Sequence, residues 1–275
     1  MLLHRLLSAA IGIPLGLLIV WRGGLPLVAL VTLLAVLGFQ EYHATLRRRQ
    51  VEALREVGFP AIVALILGAA LLEGSDLLFY LQAVLFIVVV ASLTFHIFAT
   101  VEGSRVASAA ATTLGVVYIG FLFSFSVLVR QLQGPTPEGA LPFGLRLFLL
   151  SWLTTIAADT FAYVVGKTLG HHPLCPAISP GKTVEGAVGG LLGALSVAAL
   201  LGTWFNFVLW HAVTLGALVA LVGLIGDLSK SVIKRDIGVK DFGTLIPGHG
   251  GVLDRFDSLL VNMPVAYFFA LAFMR

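Results

Sequence analysis

The chain has 275 residues, 59% of them hydrophobic and 11% charged, with a mean hydropathy of +1.02 and a formal net charge of +3. A soluble domain carries about 25% charged residues, so a water-soluble globular fold and a disordered chain are both excluded, and one cysteine, Cys175, cannot make an internal disulfide. The positive balance matches the Lys and Arg bias of cytoplasmic loops in membrane proteins, so no nucleic-acid partner is expected.

Apolar runs follow one another along the chain: Leu6–Trp21, Leu25–Phe39, Phe59–Leu72, Leu77–Ala99, Ala107–Val129, Leu147–Val165, Ala187–Trp204, Phe207–Gly226 and Val252–Phe273. The first resembles a signal peptide but lacks a small-x-small cleavage site, and it reads as a retained helix. The third is short enough to be tilted or re-entrant. Backbone groups in lipid must be paired internally, and solidly apolar runs do not alternate as barrel strands do. The expected fold is therefore all-α: a polytopic integral membrane helical bundle with about nine transmembrane helices. Arg47, Arg48, Arg49 and Arg55 place the second connection in the cytoplasm, and the connections after the sixth and eighth runs share that face. Gln131–Leu147, rich in Gly and Pro, reads as an external loop. Gly186, Gly189, Gly190 and Gly193 form small-xxx-small pairs that permit close helix packing, within the chain or in a homodimer.

Charge is concentrated late. Gly226–Ser258 holds five acids (Asp227, Asp236, Asp241, Asp254, Asp257) and five bases (Lys230, Lys234, Arg235, Lys240, Arg255). A neutral mixture is unlike a lipid-surface patch, which would be basic only. All five lysines of the chain lie between Lys167 and Lys240, and a lysine serves phosphate as a compact point charge. Asp227, Lys230, Ser231 and Lys234 share one face of a helix leaving the membrane. Asp254 and Asp257 lie one turn apart at the start of the last helix, just after Pro247-Gly248-His249-Gly250-Gly251. A glycine turn feeding a helix N-terminus exposes N–H groups to an anion. Carboxylates from two helices with lysines nearby are the parts of a site for phosphate and a hard cation such as Mg²⁺, and the competing reading is a set of surface ion pairs.

A second polar segment runs from Asp159 to Gly190. Asp159 sits inside an apolar run and needs a partner or a metal there. Ser179-Pro180-Gly181-Lys182-Thr183-Val184-Glu185-Gly186 opens the seventh run, with Ser179 as its expected cap and Lys182 and Thr183 facing a phosphate. Gly181-Lys182-Thr183 ends like a P-loop but lacks the first glycine and the strand before it, Asp241-Phe242-Gly243 spells a kinase triplet without its companion motifs, and His171, His172 and Cys175 fit no zinc spacing. His249 is open to three readings: general base, phosphate ligand or support for the turn.

Ser231-Val232-Ile233-Lys234-Arg235, Lys240-Asp241, Pro247, His249-Gly250-Gly251 and Asp254-Arg255-Phe256-Asp257 resemble the signature of the phosphatidate cytidylyltransferase family. Ser179-Pro180, Lys182-Thr183 and Glu185-Gly186 resemble it too, as does Asp159 through Tyr163. The resemblance is strong over roughly the last 120 residues and elsewhere extends only to a series of spans. It implies N-terminal membrane helices over residues 1–146 and a catalytic membrane region over residues 147–275, with the signature at 231–257. The reaction implied joins CTP and phosphatidate into CDP-diacylglycerol and pyrophosphate at the cytoplasmic face of a bacterial inner membrane. By the same resemblance Asp227 and Asp254 ligate Mg²⁺, with Asp257 a support or further ligand and the choice of one or two ions open. Lys234, Arg235, Lys240 and Arg255 hold phosphates, with Ser179, Lys182, Thr183, Ser231 and Asp241 lining the substrate site, and His249, Gly250 and Gly251 shape the phosphate turn. The rivals are a CTP-using lipid kinase of the polyprenol type, a cytidylyltransferase for an ether lipid phosphate, and an ion-coupled transporter, whose charges would be dispersed across midplane helices.

Overall fold

A computed structural model of the chain describes residues 12, 14–98, 103–239, 241–243 and 251–274. After a helical stretch over residues 14–22 come α1 (Gly24–Leu46), α2 (Arg55–Leu71), α3 (Gly74–Phe98), α4 (Arg105–Gln131), α5 (Phe143–Leu169), the strands β1 (Pro173–Cys175) and β2 (Ser179–Thr183), then α6 (Val184–Trp204), α7 (Leu209–Ile237) and α8 (Val252–Phe273). Among the described residues, seven helices are long and apolar enough to cross a membrane: all of these except α2. The chain is thus a polytopic, nearly all-α membrane protein.

The expected runs fall on these helices in order. Phe59–Leu72 falls on α2, whose 17 residues reach about 26 Å at 1.5 Å per residue, short of the roughly 30 Å hydrocarbon core. Leu6–Trp21 lies within the described residues only at 12 and 14–21, and its remainder lies outside them. These two account for the gap between the expected nine and the seven found.

The chain divides into two compact units, one reaching Leu128 and taking in Asp236–Phe256, the other made of Val129–Arg235 and the residues from Asp257 onward. In the first unit the core centres on Phe39, which meets Phe59 edge-on at 5.6 Å between ring centroids. Ile62, Leu65, Ile66, Val116, Ile119 and Leu253 of the same unit are buried too. Glycines let the helices close on these rings, since a side chain at Gly58 or Gly115 would strike Phe39. α4 contains a π-helical segment, Val116–Phe121; such bulges re-aim a helix in mid-course. Ser108 and Thr112 of α4 accept the Glu52 and Leu54 amides at 3.0 and 2.9 Å, which ties down the start of α2.

In the second unit α5 and α6 pack face to face. The four glycines anticipated as a close-packing stripe all face α5 of the same chain: Gly186 meets Ala162, Gly189 meets Val165, Gly190 meets Ala158 and Gly193 meets Phe161. α7 returns along α6 through Gly202 on Ala212 and Gly216 on Ala198, and α8 meets α7 where Gly223 faces Asn262 and Gly226 faces Val261. The α5 end is locked by Arg146, only 1% exposed. Its guanidinium donates to Phe205 O at 2.5 Å and Pro135 O at 2.6 Å and lies 5.0 Å from the Phe207 ring centroid.

The segment between α5 and α6 is an antiparallel β-hairpin, pairing Pro173 with Thr183 and Cys175 with Ser179. Ser179 therefore sits at the start of β2 and does not cap α6. Thr183 does so, its Oγ1 accepting the Gly186 amide at 3.1 Å. Of the two hydroxyls in this segment, only the threonine stands immediately before the first helical residue, where the cap geometry applies. Glu185 fastens the hairpin base by accepting the His171 and His172 amides and meeting the His172 ring at 2.5 Å.

Candidate active site

In the second unit the hairpin carries Lys182 to Asp227 of α7, an ion pair between residues 45 apart in sequence. One turn further along α7, Lys230 Nζ lies 3.1 Å from Asp227 Oδ1 and pairs with Asp257 Oδ2 of α8. Asp159 of α5 faces Asp227, Lys182 and Lys230 and is hydrogen-bonded to Ser258. Four elements thus bring three carboxylates and two ammonium groups together, leaving one formal negative charge within the group. Lys230 and Asp257 are buried, their side chains 6% and 9% exposed, whereas Asp227 and Lys182 open to 29% and 24%. Asp159 is exposed as well, so the accessible side of the cluster is the one lined by Asp159, Asp227 and Lys182. Buried charge is tolerated only when paired, and Lys230 supplies that pairing for two acids at once.

The neighbouring side chains serve the scaffold in part. Ser231 Oγ donates to Asp227 O at 2.8 Å, back onto its own helix. Arg235 Nε donates to Ile178 O at 3.1 Å, which holds the hairpin turn against the end of α7. A buried Asn262 donates to Thr155 Oγ1 at 2.9 Å. Lys234 lies on α7 beyond Ser231.

The first unit holds the rest of the signature. Asp254, in the first turn of α8, accepts the Phe242 amide at 2.9 Å and the Gly251 amide at 3.2 Å through Oδ2. It thereby joins residues on either side of the 244–250 stretch. Asp241 and Arg255 are exposed and Gly251 is buried. Lys240, His249 and Gly250 lie outside the described residues.

Sequence reasoning passed over one residue, Glu41 of α1. It is 6% exposed and accepts the Val252 amide at 3.0 Å and the Leu253 amide at 3.2 Å. The available signal was an acid near the end of an otherwise apolar span, where an ionisable residue is a functional candidate by default.

For Mg²⁺, the donors present are hard carboxylate oxygens. Among the described residues no group of three or more His, Cys, Asp or Glu is arranged to hold a metal by itself. The Asp227 and Asp257 carboxylates are the donor type that a hard cation takes together with water and phosphate oxygens, and the cluster's excess negative charge suits a cation.

The site is thus a cluster of acids and ammonium groups carried by membrane-length helices and the hairpin between two of them. Residues 3–273 match the model of the cytidylyltransferase family, and the chain belongs to that family, a nucleotidyltransferase. It is 34% identical to a phosphatidate cytidylyltransferase of Synechocystis over 97% of this chain and 95% of that one. It is 32% identical to one from Staphylococcus haemolyticus, over 95% and 96% respectively. One from Staphylococcus aureus is 43% identical over 57% of each chain.

Proposed function

We propose that the protein transfers the cytidylyl group of CTP to phosphatidate, giving CDP-diacylglycerol and pyrophosphate, at the cytoplasmic face of a bacterial inner membrane. The observation that carries this reading is the Asp159–Asp227–Asp257 cluster cross-paired by Lys182 and Lys230, open on the side of Asp159, Asp227 and Lys182. A phosphatidate oxygen attacks the α-phosphorus of CTP in line. The new P–O bond forms as the bond from the α-phosphorus to the α–β bridging oxygen breaks, and pyrophosphate leaves with that electron pair. No covalent enzyme intermediate is needed, so catalysis rests on positioning and charge neutralisation.

Metal binding is assigned, by the resemblance, to Asp227, with Asp257 beside it, and separately to Asp254, for one ion or two. Bound there, Mg²⁺ would neutralise phosphate charge and orient the leaving group. Lys182 and Lys230 balance the carboxylates and, as phosphates enter, share their charge. Lys234, Arg235, Lys240 and Arg255 are assigned to phosphates, Ser179, Thr183, Ser231 and Asp241 to the walls of the substrate site, and His249, Gly250 and Gly251 to the phosphate turn.

The test uses purified protein in detergent with phosphatidate, Mg²⁺ and CTP labelled at either the α- or the γ-phosphate. Label entering the lipid from the α position only, and lost on chelation and in Asp227→Asn and Asp254→Asn, supports the reading. Transfer of γ label to a lipid alcohol would instead identify a lipid kinase, and full activity in both variants would overturn the metal assignment.

A further inference from the structure

Three residues along one face of α1 and the turn that follows it hold the two ends of the signature segment, all within the first unit. Glu41 accepts the Val252 and Leu253 amides, the first N–H groups of α8. Thr45 Oγ1 donates to Phe242 O at 2.8 Å. Arg49 Nε donates to Ile237 O at 2.9 Å, at the last residue of α7. The spacing of four residues puts these side chains on consecutive turns. The signs suit the helix ends they meet: a carboxylate on an N-terminus, where the helix dipole is positive, and a guanidinium on a C-terminus, where it is negative.

The glycines on either side of the 244–250 stretch also converge on the same carboxylate. A side-chain carbon at Gly243 or Gly251 would come within 2.5 Å of Glu41 Oε1 or Oε2 respectively, so both positions are kept free of side chain by Glu41. A buried leucine would pack at position 41 at lower desolvation cost. What the acid adds is a fixed pair of acceptors for the Val252 and Leu253 amides, which stand between Gly251 and Asp254.

We propose that Glu41 is a positioning residue for the transfer reaction: its carboxylate fixes the first turn of α8 and, through it, the Asp254 carboxylate. The proposal rests on the reaction assigned above. Its test separates the two, because one arm measures the backbone and the other turnover. Full-length wild type, Glu41→Gln and Glu41→Leu are compared in detergent. Amide hydrogen exchange is followed in peptides covering 251–256, along with kcat and KM for CTP and phosphatidate. Glutamine keeps the shape and one acceptor oxygen, so Glu41→Gln serves where Glu41→Leu does not fold.

The expected result is exchange at Val252 and Leu253 faster by at least roughly tenfold, with kcat lower by about 10–100-fold as for other groups that orient ligating carboxylates. KM for CTP and phosphatidate should stay within about threefold, and Glu41→Asp, which still offers two acceptors, should recover part of kcat. Unchanged exchange in a folded variant overturns the clamp. Faster exchange with kcat intact overturns the positioning role and leaves a scaffold contact. Wild-type protein that transfers no cytidylyl group overturns the reaction, while the exchange arm still decides the clamp.

Discussion

Lys230 is the ammonium group on which the buried part of the acid cluster depends. Replacing it with methionine preserves volume and removes the charge. Asp227 keeps Lys182 as a partner, but Asp257, 9% exposed, loses the ion pair seen with Lys230. Breaking one side of a buried pair costs about 3–5 kcal/mol, whereas replacing both partners by neutral groups is often neutral. Lys230→Met should therefore melt roughly 6–10 °C below wild type in detergent, at about 2 °C per kcal/mol for a chain of this size. Adding Asp257→Asn should restore most of that loss, so the double-mutant cycle should yield a coupling of about 2–3 kcal/mol. The assay is thermal unfolding of all four proteins in one detergent without substrate. A Lys230→Met protein that melts with wild type, or a double variant whose loss is the sum of the two single losses, would refute this account of the cluster.

Thr183→Ala should cost about 1 kcal/mol through loss of the α6 cap, and Thr183→Ser should melt like wild type. Gly190→Val should destabilise by about 1–3 kcal/mol by forcing α6 off the Ala158 backbone of α5; its size-exclusion profile should not shift, and Gly181→Ala, where the added carbon meets nothing within 4 Å, should be silent. Arg146→Met leaves Phe205 and Pro135 carbonyls without their donor and should cost about 2–4 kcal/mol in the same melting assay.

The apolar runs were legible because membrane helices need length and uninterrupted hydrophobicity, and both are written locally. α2 shows the limit, since only the helix bounds reveal that it stops short of a full span. Asp227, Lys182 and Asp257 were identifiable as charges at helix ends. Their meeting was not, because the Lys182–Asp227 pair joins a hairpin to a helix far along the chain. The hairpin itself escaped notice, since His172, Cys175 and Ser179-Pro180 carry no alternating apolar pattern, and the capping role went to Thr183 once β2 took Ser179. Glu41 was hidden for a different reason. Its partners are backbone amides, which carry no side-chain signal, and they come 211 residues later.

That separation has a consequence for how the molecule is made. At about 5–20 residues per second, a ribosome that has just added Glu41 needs roughly 10–40 s to reach Val252. Throughout that interval α1 carries an acid whose amide partners do not yet exist. Only the arrival of α8 supplies them, so an acid laid down in α1 waits for α8 before its acceptors are filled. A chain interrupted before residue 252 lacks the two amide donors that Glu41 meets in the folded protein, a chemical mark by which the interrupted product differs from one that carries α8.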